Sequence, residues 1–167
     1  MEVRKERTGW RDEGISRRHR LWGVTCAATD IDFILVEYNS NTPKAIVEYK
    51  NEHAKKLHIL KDAQCQVLKK LGDLAQIPVI GARYVSNFSR FTVVPMNQLA
   101  KNFVPTTTKM VEAKFVELLY RMRGINSVPR DVLETIKKTP AKKAQVENEY
   151  LGDDDKEDIS EQLSLRF

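Results

Sequence analysis

The amino-acid sequence predicts an α/β fold with elements in the order α-β-β-α-β-β, followed by C-terminal helices. Three observations predict this order. Residues 54–76 repeat apolar side chains at the spacing of one helical face. Residues 29–50 contain two short apolar runs separated by turn formers, and two further apolar runs surround residues 86–89. We therefore expect a central mixed sheet that is flanked by helices.

The β-hairpin is predicted by the runs TDIDFILVEY and KAIVEYK, which are rich in Ile, Val, Leu and Phe. The cluster NSNTP between them consists of turn formers, so the two arms are expected to be antiparallel neighbours. Ahead of the hairpin, Ile15, His19 and Trp22 lie at i, i+4 and i+7, and Gly23 follows them. This spacing predicts a first helix that ends at Gly23.

The helix at 54–76 has its apolar stripe at positions 57, 60, 64, 67, 68, 71 and 75. It ends before Pro78, because proline disfavours helical backbone at the residue ahead of it. The runs IPVIGARYV and RFTVVPM predict two strands joined by SNFS. A second amphipathic helix is expected at about 109–123, and a short one at 129–138, with the break GINSV between them.

Charge divides the chain into a basic body and an acidic tail. Residues 141–167 carry 4 Lys or Arg and 8 Asp or Glu, without an apolar period. The other 140 residues carry 24 basic and 15 acidic side chains, a net charge of +9. We expect residues 1–138 to form one domain and residues 139–167 to be a disordered tail. A basic body favours a polyanionic partner, with nucleic acid, and DNA in particular, as the first candidate.

Several classes of protein are not supported by the sequence. No apolar run approaches the ~20 residues that span a membrane, and the charged N-terminus lacks the apolar stretch of a secretory signal. Cys26 and Cys65 have no C-x-x-C spacing, three scattered histidines make no zinc site, and no glycine-rich phosphate loop is present. We expect a reduced, cytoplasmic protein that does not bind membranes.

Charged residues interrupt both arms of the hairpin. Asp30 and Asp32 lie in the first arm, and Glu48 and Lys50 end the second. Residues two apart share a face of a strand, so each pair points one way. A turn centred near residue 40 places Asp32 opposite Glu48, and a turn centred near 41 places Asp32 opposite Lys50. Either register puts all four groups on one face, whereas an odd register separates them.

Two carboxylates and a lysine at a sheet edge suit the hydrolysis of a phosphodiester. Carboxylates hold Mg²⁺, which polarises the phosphodiester and stabilises its developing charge. Beside them, Lys50 would orient or deprotonate the attacking water. The purely structural alternative is a salt-bridged hairpin in which Asp32 pairs with Lys50.

The segment TDIDFILVEYNSNTPKAIVEYK resembles the core of the PD-(D/E)XK nuclease superfamily, which includes many restriction endonucleases, Holliday-junction resolvases and phage exonucleases. The resemblance covers roughly residues 10–95 and implies a restriction-endonuclease-like core of a helix, a β-hairpin, a helix and further strands. It implies a nuclease that depends on Mg²⁺, with Mn²⁺ as a substitute. Asp32 matches the strand aspartate of the family, and Glu48, Tyr49 and Lys50 match its E-x-K element.

The resemblance also implies residue roles. Asp32, Glu48, Lys50 and Gln64 would be catalytic, and the metal would be bound by the carboxylates of Asp32 and Glu48 and the backbone carbonyl of Tyr49. Thr29 and Ile31 precede the two aspartates, where the name-giving proline of the family would stand. Asp30 therefore remains an alternative metal ligand.

Some members that resemble phage and recombination exonucleases place a glutamine on the helix after the hairpin, and Gln64 lies on the apolar stripe of that helix here. A core-edge glutamine satisfied by backbone is an equally weighted alternative. The family often adds a carboxylate from the first helix, for which Asp12 and Glu13 are the candidates. The candidates for phosphate contacts are Arg17, Arg18, Arg20, Lys55 and Lys56.

Two other classes of function stay open. The helices at 109–123 and 129–138 are joined by a glycine-containing break, as in a helix-turn-helix, so the chain can be a DNA-binding module without catalysis. It can also be an interaction protein on a nuclease-like fold that has lost activity. The sequence leaves open DNA or RNA, endonuclease or exonuclease, and the oligomeric state.

Overall fold

The computed structural model describes residues 28–53 and 61–138, together with the single positions Ile15, Arg18 and Leu21. In these ranges the chain forms a five-stranded mixed open sheet and four helices, the α/β class that the sequence predicts. The strands are β1 (Phe33–Glu37), β2 (Thr42–Asn51), β3 (Val79–Tyr84), β4 (Phe91–Pro95) and β5 (Thr108–Met110). The helices are α1 (Ala63–Ala75), α2 (Gln98–Lys101), α3 (Glu112–Met122) and α4 (Arg130–Lys138).

The strands lie side by side in chain order, from β1 at one edge to β5 at the other. Neighbouring strands are antiparallel except β2 and β3, which are parallel. A parallel pair needs a crossover connection, and α1 lies in that connection. The start of β1, the ends of β2 and β3 and the start of β4 therefore meet at one end of the sheet.

The turn and a β-bulge together fix the register of β1 against β2. Asn41 closes the turn in the left-handed region with φ 51°, a conformation that asparagine tolerates better than most residues. Phe33 then pairs with Val47 and Ile34 with Ile46. Next to the turn, Val36 pairs with Pro43 and Glu37 with Thr42, which is the odd register. A one-residue shift between Leu35 and Val36 changes the pairing beyond it to that of a turn centred near residue 40, and this shift places Asp32 opposite Glu48.

The described part of the crossover helix begins later than the sequence predicts. Asp62 has extended backbone and its side chain accepts a hydrogen bond from the Gln64 amide at 3.2 Å, so it is the N-cap of α1. The prediction of one continuous helix from residue 54 is therefore wrong, because the helix is interrupted at Asp62. Residues 54–60 lie outside the described ranges.

The apolar face of α1 also differs from the predicted stripe. The helix buries Cys65, Leu68 and Gly72 against the sheet, whereas Val67 and Leu71 of the predicted stripe are exposed. The crossover geometry sets the face that turns inward, and Gly72 permits the close approach, because a Cβ there would overlap the Val79 side chain.

Alternation along the strands divides the core between the two faces of the sheet. Ala45, Val47, Ile80, Ala82 and other residues pack toward α3 on one face. On the other face, Ile46 and Val79 pack with Cys65 and Leu68 of α1. Both faces of β2 and β3 are thus covered.

The C-terminal part contains two short elements that the sequence analysis missed, the helix α2 and the strand β5. Thr108–Met110 adds β5 to the free edge of β4, so the predicted helix at 109–123 begins only at Glu112. The run of β-branched threonines before Met110 is the signal that favours a strand there. The predicted strands at β3 and β4 and the short helix α4 are present.

Other sequence predictions fall outside the described residues. Most of the predicted first helix and the whole predicted tail from residue 139 lie there. None of the helices in the described ranges is long and apolar enough to cross a lipid bilayer.

Asn97 joins the ends of β3, β4 and α2 through a fully buried side chain. Its Oδ1 accepts hydrogen bonds from the amides of Val79 at 3.1 Å and Ala100 at 2.9 Å. Its Nδ2 donates to the carbonyl of Ile77 at 2.8 Å. A buried amide with three such bonds satisfies backbone groups that no regular element satisfies there.

We expect Asn97→Ala to lower the free energy of unfolding by about 2–4 kcal/mol, because it removes an N-cap and leaves buried backbone groups unpaired. Urea denaturation of the variant and of the exposed neighbour control Gln98→Ala measures this loss. Equal stability of the two variants would contradict the role assigned to Asn97.

Candidate functional site

Glu48 lies on β2, an inner strand of the sheet, with no solvent exposure, at 0%. Its strand, β2, has partners on both sides, and α1 covers the face on which its side chain lies. The register partner of Glu48 on β3 is Gly81, which places no side chain beside the carboxylate. A charged side chain at this depth is costly unless it is compensated by partners.

Lys50 provides that compensation from the same face of the strand. Its Nζ donates to Oε1 of Glu48 at 2.5 Å, and its side chain keeps a quarter of its surface exposed. The pair is a charge-assisted hydrogen bond between residues two apart. The structural alternative from the sequence, in which Lys50 pairs with Asp32, is not the arrangement found.

Asp32 lies just before β1, in the position that the register places opposite Glu48. Its Oδ2 accepts a hydrogen bond from the backbone amide of Tyr49 at 2.7 Å. In a strand the N–H and C=O of one residue point to the same side, so the Tyr49 carbonyl also points toward the β1 side. The ring of Tyr49 lies on the opposite face, among aromatic residues.

The pKa values reflect these contacts. Burial raises the pKa of Glu48, the hydrogen bond from Lys50 opposes the shift, and the neighbouring charge of Asp32 adds to it. Partial burial works against the charge on Lys50, but the hydrogen bond and charge of Glu48 prevail and raise the pKa of Lys50. Lys50 is therefore protonated at neutral pH.

One carboxylate oxygen of Glu48 has no hydrogen-bond partner among the described residues. Oε2 of Glu48 is buried and makes no hydrogen bond with the described part of the chain. A cation, a water molecule or a proton shared with Asp32 satisfies an oxygen in this position. Asp32, Glu48 and the Tyr49 carbonyl are oxygen donors, which Mg²⁺ prefers.

A richer metal site is not found. No group of three or more His, Cys, Asp and Glu residues within the described ranges is placed to hold a metal ion. Mg²⁺ usually keeps several waters and binds through one or two protein carboxylates, so the donor set at Glu48 fits this ion better than zinc.

Gln64 extends from α1 to the segment that precedes β1. Its Nε2 donates to the backbone carbonyl of Asp30 at 3.1 Å. The half-buried glutamine thereby ties α1 to the segment that carries Asp32 into β1. This is the contact of a glutamine satisfied by backbone, which was one of the two alternatives for Gln64.

Cys65 and Asp62 were not among the predicted site residues. The Cys65 thiol is fully buried and donates to Oδ2 of Asp62 at 3.6 Å. Burial, together with the charges of Asp62 and Glu48, raises the pKa of Cys65 to about 12, so the thiol stays protonated and inert. The spacing of Cys65, Leu68 and Gly72 is the signal that places this thiol on the buried face.

Most of the predicted phosphate contacts lie outside the described ranges, including Arg17, Arg20, Lys55 and Lys56, as do Asp12 and Glu13. Arg18 is described and exposed. Asp30 is exposed at the entry to β1, where its backbone carbonyl meets Gln64. The structure thus brings together Asp32, Glu48 and Lys50.

Comparisons of the chain with protein-family models, with curated protein sequences and with solved structures give no match. A function for the chain is therefore inferred from the geometry around Glu48.

The raised pKa of Glu48 predicts a pH dependence of stability. In the unfolded chain this carboxyl has its ordinary pKa of 4.5, and in the folded chain the pKa is higher. The stability contributed by the neutral carboxyl is complete below pH 4.5 and is lost as the pH rises through the folded pKa. Glu48→Gln stays neutral, so we expect its free energy of unfolding to increase relative to the parent as the pH rises from 4.5.

Denaturation curves of both proteins in EDTA, recorded across this pH range, measure the difference. A difference that falls with rising pH would show that the ion pair with Lys50 outweighs the burial of the carboxylate.

Proposed function

We propose that the protein is a metal-dependent nuclease of the PD-(D/E)XK type that hydrolyses phosphodiester bonds in nucleic acid. One observation carries the proposal: Asp32 and Lys50 converge on a buried Glu48 whose Oε2 has no partner among the described residues. A buried carboxylate oxygen without a partner among the described residues is a position where a bound cation would be stabilised.

The fold supports the proposal. The described elements follow the order hairpin, helix, strand pair, which is the order that the resemblance to restriction-endonuclease-like proteins implies. The aspartate precedes the first hairpin strand and the E-x-K element ends the second, so both lie at one end of the sheet.

Asp32, Glu48 and the Tyr49 carbonyl would hold Mg²⁺, or Mn²⁺ in its place. The bound ion supplies Lewis-acid stabilisation of the charge that develops on the phosphate. Asp32 is preferred over Asp30, because only Asp32 is fixed by the Tyr49 amide and shifts the pKa of Glu48. Gln64 would hold the Asp30–Asp32 segment in place.

Lys50 has the properties of a donor and not of a base. Because the pKa of Lys50 is raised, its ammonium group keeps its proton at neutral pH. A fixed ammonium group at a water-poor site stabilises negative charge on a phosphate oxygen and orients the attacking water. Of the two roles that the sequence leaves open for Lys50, orientation is thus favoured over deprotonation.

Nucleic acid is the proposed substrate because of charge. The chain without residues 141–167 carries 24 basic and 15 acidic side chains. Such an excess attracts the phosphate backbone irrespective of sequence. DNA is the substrate to test first.

The second candidate is a non-catalytic DNA-binding or interaction protein on a nuclease-like fold. The short Lys50–Glu48 ion pair favours it, because that pair is what a purely structural role requires. Incubation with plasmid and linear DNA, with Mg²⁺ and with EDTA, separates the two candidates. Cleavage that requires Mg²⁺ supports the nuclease.

One test of the proposed nuclease concerns Asp32. The amide oxygen of Asp32→Asn still accepts the Tyr49 N–H, so the variant should fold as the parent does. It loses a negative charge beside Glu48, and we expect the cleavage rate with Mg²⁺ to fall by about 10²-fold or more. Asp30→Asn is the matched control and should retain most activity.

Rates on the same DNA substrate, with melting temperatures as a check on folding, measure both variants. Parental activity in Asp32→Asn would remove Asp32 from the site. Loss of activity only in Asp30→Asn would transfer the metal role to Asp30.

Another test of the proposed nuclease concerns metal binding in the absence of substrate. A cation that binds only the folded state stabilises it by about 2.7 kcal/mol at one hundred times its Kd. We expect increasing Mn²⁺ to raise the melting temperature of the parent and not that of Glu48→Gln. The control Glu117→Gln removes an exposed carboxylate on α3 and should keep the shift. An equal shift in all three proteins would place the metal elsewhere.

A further inference from the structure

A cavity lies on the face of the sheet opposite Glu48, between the strands and α3. Its volume is about 380 Å³, within the range of small-molecule sites. Six aromatic rings line it: Phe33, Tyr49, Tyr84, Phe88, Phe91 and Phe115. Phe33 begins β1, Tyr84 ends β3 and Phe91 begins β4, so the cavity is at the same end of the sheet as Asp32 and Lys50.

The rings form a connected wall that ends in an exposed face. Phe91 stacks on Phe115 with centroids 4.2 Å apart, and Tyr84 stacks on Phe88 at 5.4 Å. Tyr49 meets Phe33, Tyr84 and Phe115 edge to face. Phe88 is the outermost ring and leaves 47% of its surface exposed. A planar ligand can extend this stack on the outer face of Phe88.

The backbone of Phe88 is strained. Its φ is 55°, in the left-handed region that a bulky residue rarely adopts, and its amide donates to the Val85 carbonyl at 2.7 Å. Asparagine tolerates this conformation better than phenylalanine, yet the residue with positive φ is Phe88 and not its neighbour Asn87. Strain of this kind is characteristic of ligand clamps, and here it holds an aromatic ring at the mouth of the cavity.

Glu112 is the charged residue of the cavity lining. Burial raises the pKa of its carboxyl, and within the described part of the chain its carboxylate has no ion pair. A lone carboxylate in an aromatic cavity accepts hydrogen bonds from an amino group carried by an aromatic ring. Adenine, cytosine and guanine carry such a group, and thymine does not.

Tyr49 connects the cavity to the candidate active site. Its backbone amide binds Asp32, and its ring forms part of the cavity wall. The cavity and the candidate active site therefore share Tyr49 and lie on opposite faces of the same end of the sheet.

We propose that this cavity binds a single unstacked nucleobase, with a preference for bases that carry an exocyclic amino group. The inference deepens the proposed function, and it identifies single-stranded or unpaired nucleic acid as the form that is bound. Phe88 stacks on the base, Tyr84 packs behind the Phe88 ring, and Glu112 accepts a hydrogen bond from the amino group of the base.

The test measures the affinity of the full-length chain in EDTA for short oligo-dC, for oligo-dT and for an abasic strand of equal length, by fluorescence anisotropy. We expect Phe88→Ala to weaken oligo-dC binding by about 5- to 150-fold, the range for loss of one base stack, and to leave the abasic strand unchanged. Phe88→Trp should retain binding. Glu112→Gln should reduce the preference for oligo-dC over oligo-dT.

Leu74→Ala is the control, because Leu74 is an exposed apolar residue on α1, on the other face of the sheet. It should bind all three strands as the parent does, and melting temperatures check the folding of each variant. Phe88→Ala with parental affinity, or with equal losses for oligo-dC and the abasic strand, would overturn the proposal. So would binding of tetramethylammonium that depends on Phe88 without any dependence on bases.

Cleavage does not enter this measurement, because EDTA removes the metal. A chain that never cleaves DNA but binds bases through Phe88 contradicts the nuclease and supports the cavity. A protein that cleaves DNA, loses cleavage in Asp32→Asn and binds all strands equally with or without the Phe88 ring supports the nuclease and contradicts the cavity proposal.

Discussion

The double pairing of β2 is the constraint on which the rest of the structure depends. β2 is antiparallel to β1 and parallel to β3, and the parallel edge requires the α1 crossover. With both edges paired and both faces covered, Ala45 to Glu48 are fully buried. The carboxylate of Glu48 is therefore inside the molecule because of its place in the strand. Lys50, two residues on, is the nearest group on that face that carries a compensating charge.

The alternation of side chains along β2 also separates two environments. Glu48 and Lys50 face α1, and Tyr49 between them faces the aromatic cavity. One strand end thus presents a polar cluster on one side and stacking surfaces on the other. This explains why Tyr49 takes part in both, through its backbone in the first and its ring in the second.

Much of the fold follows from local patterns, whereas the contacts between elements do not. The hairpin, β3, β4 and α4 were predictable because each has its own apolar run and turn signal. The start of α1 was missed, since the apolar stripe suggested by the sequence extends back to position 57 and the capping Asp62 lies inside it. β5 was missed because three residues are too few for a periodic signal, and pairing with β4 decides their conformation.

The candidate site shows the same division. Parity within a strand places Glu48 and Lys50 together, and the bulge between Leu35 and Val36 then decides that Asp32 lies opposite Glu48, which no local pattern in the sequence indicates. The contact of Gln64 with Asp30 and the position of Cys65 beside the cluster depend on how α1 docks on the sheet. Docking is set by Gly72, Leu68 and the face they bury, which no pattern within the helix specifies uniquely.

The charges of the cluster bear on the order of binding under the proposed function. With both carboxylates ionised, Asp32, Glu48 and Lys50 sum to one negative charge. A divalent cation changes the sum to one positive charge, and a phosphodiester then makes it neutral. Neither ligand alone neutralises the site, since a phosphate without the cation doubles the negative charge that the low-dielectric interior must hold. Under the proposed function, a cation and a phosphate would therefore bind together, and Lys50 would limit the affinity for the cation alone because it already donates to Oε1 of Glu48.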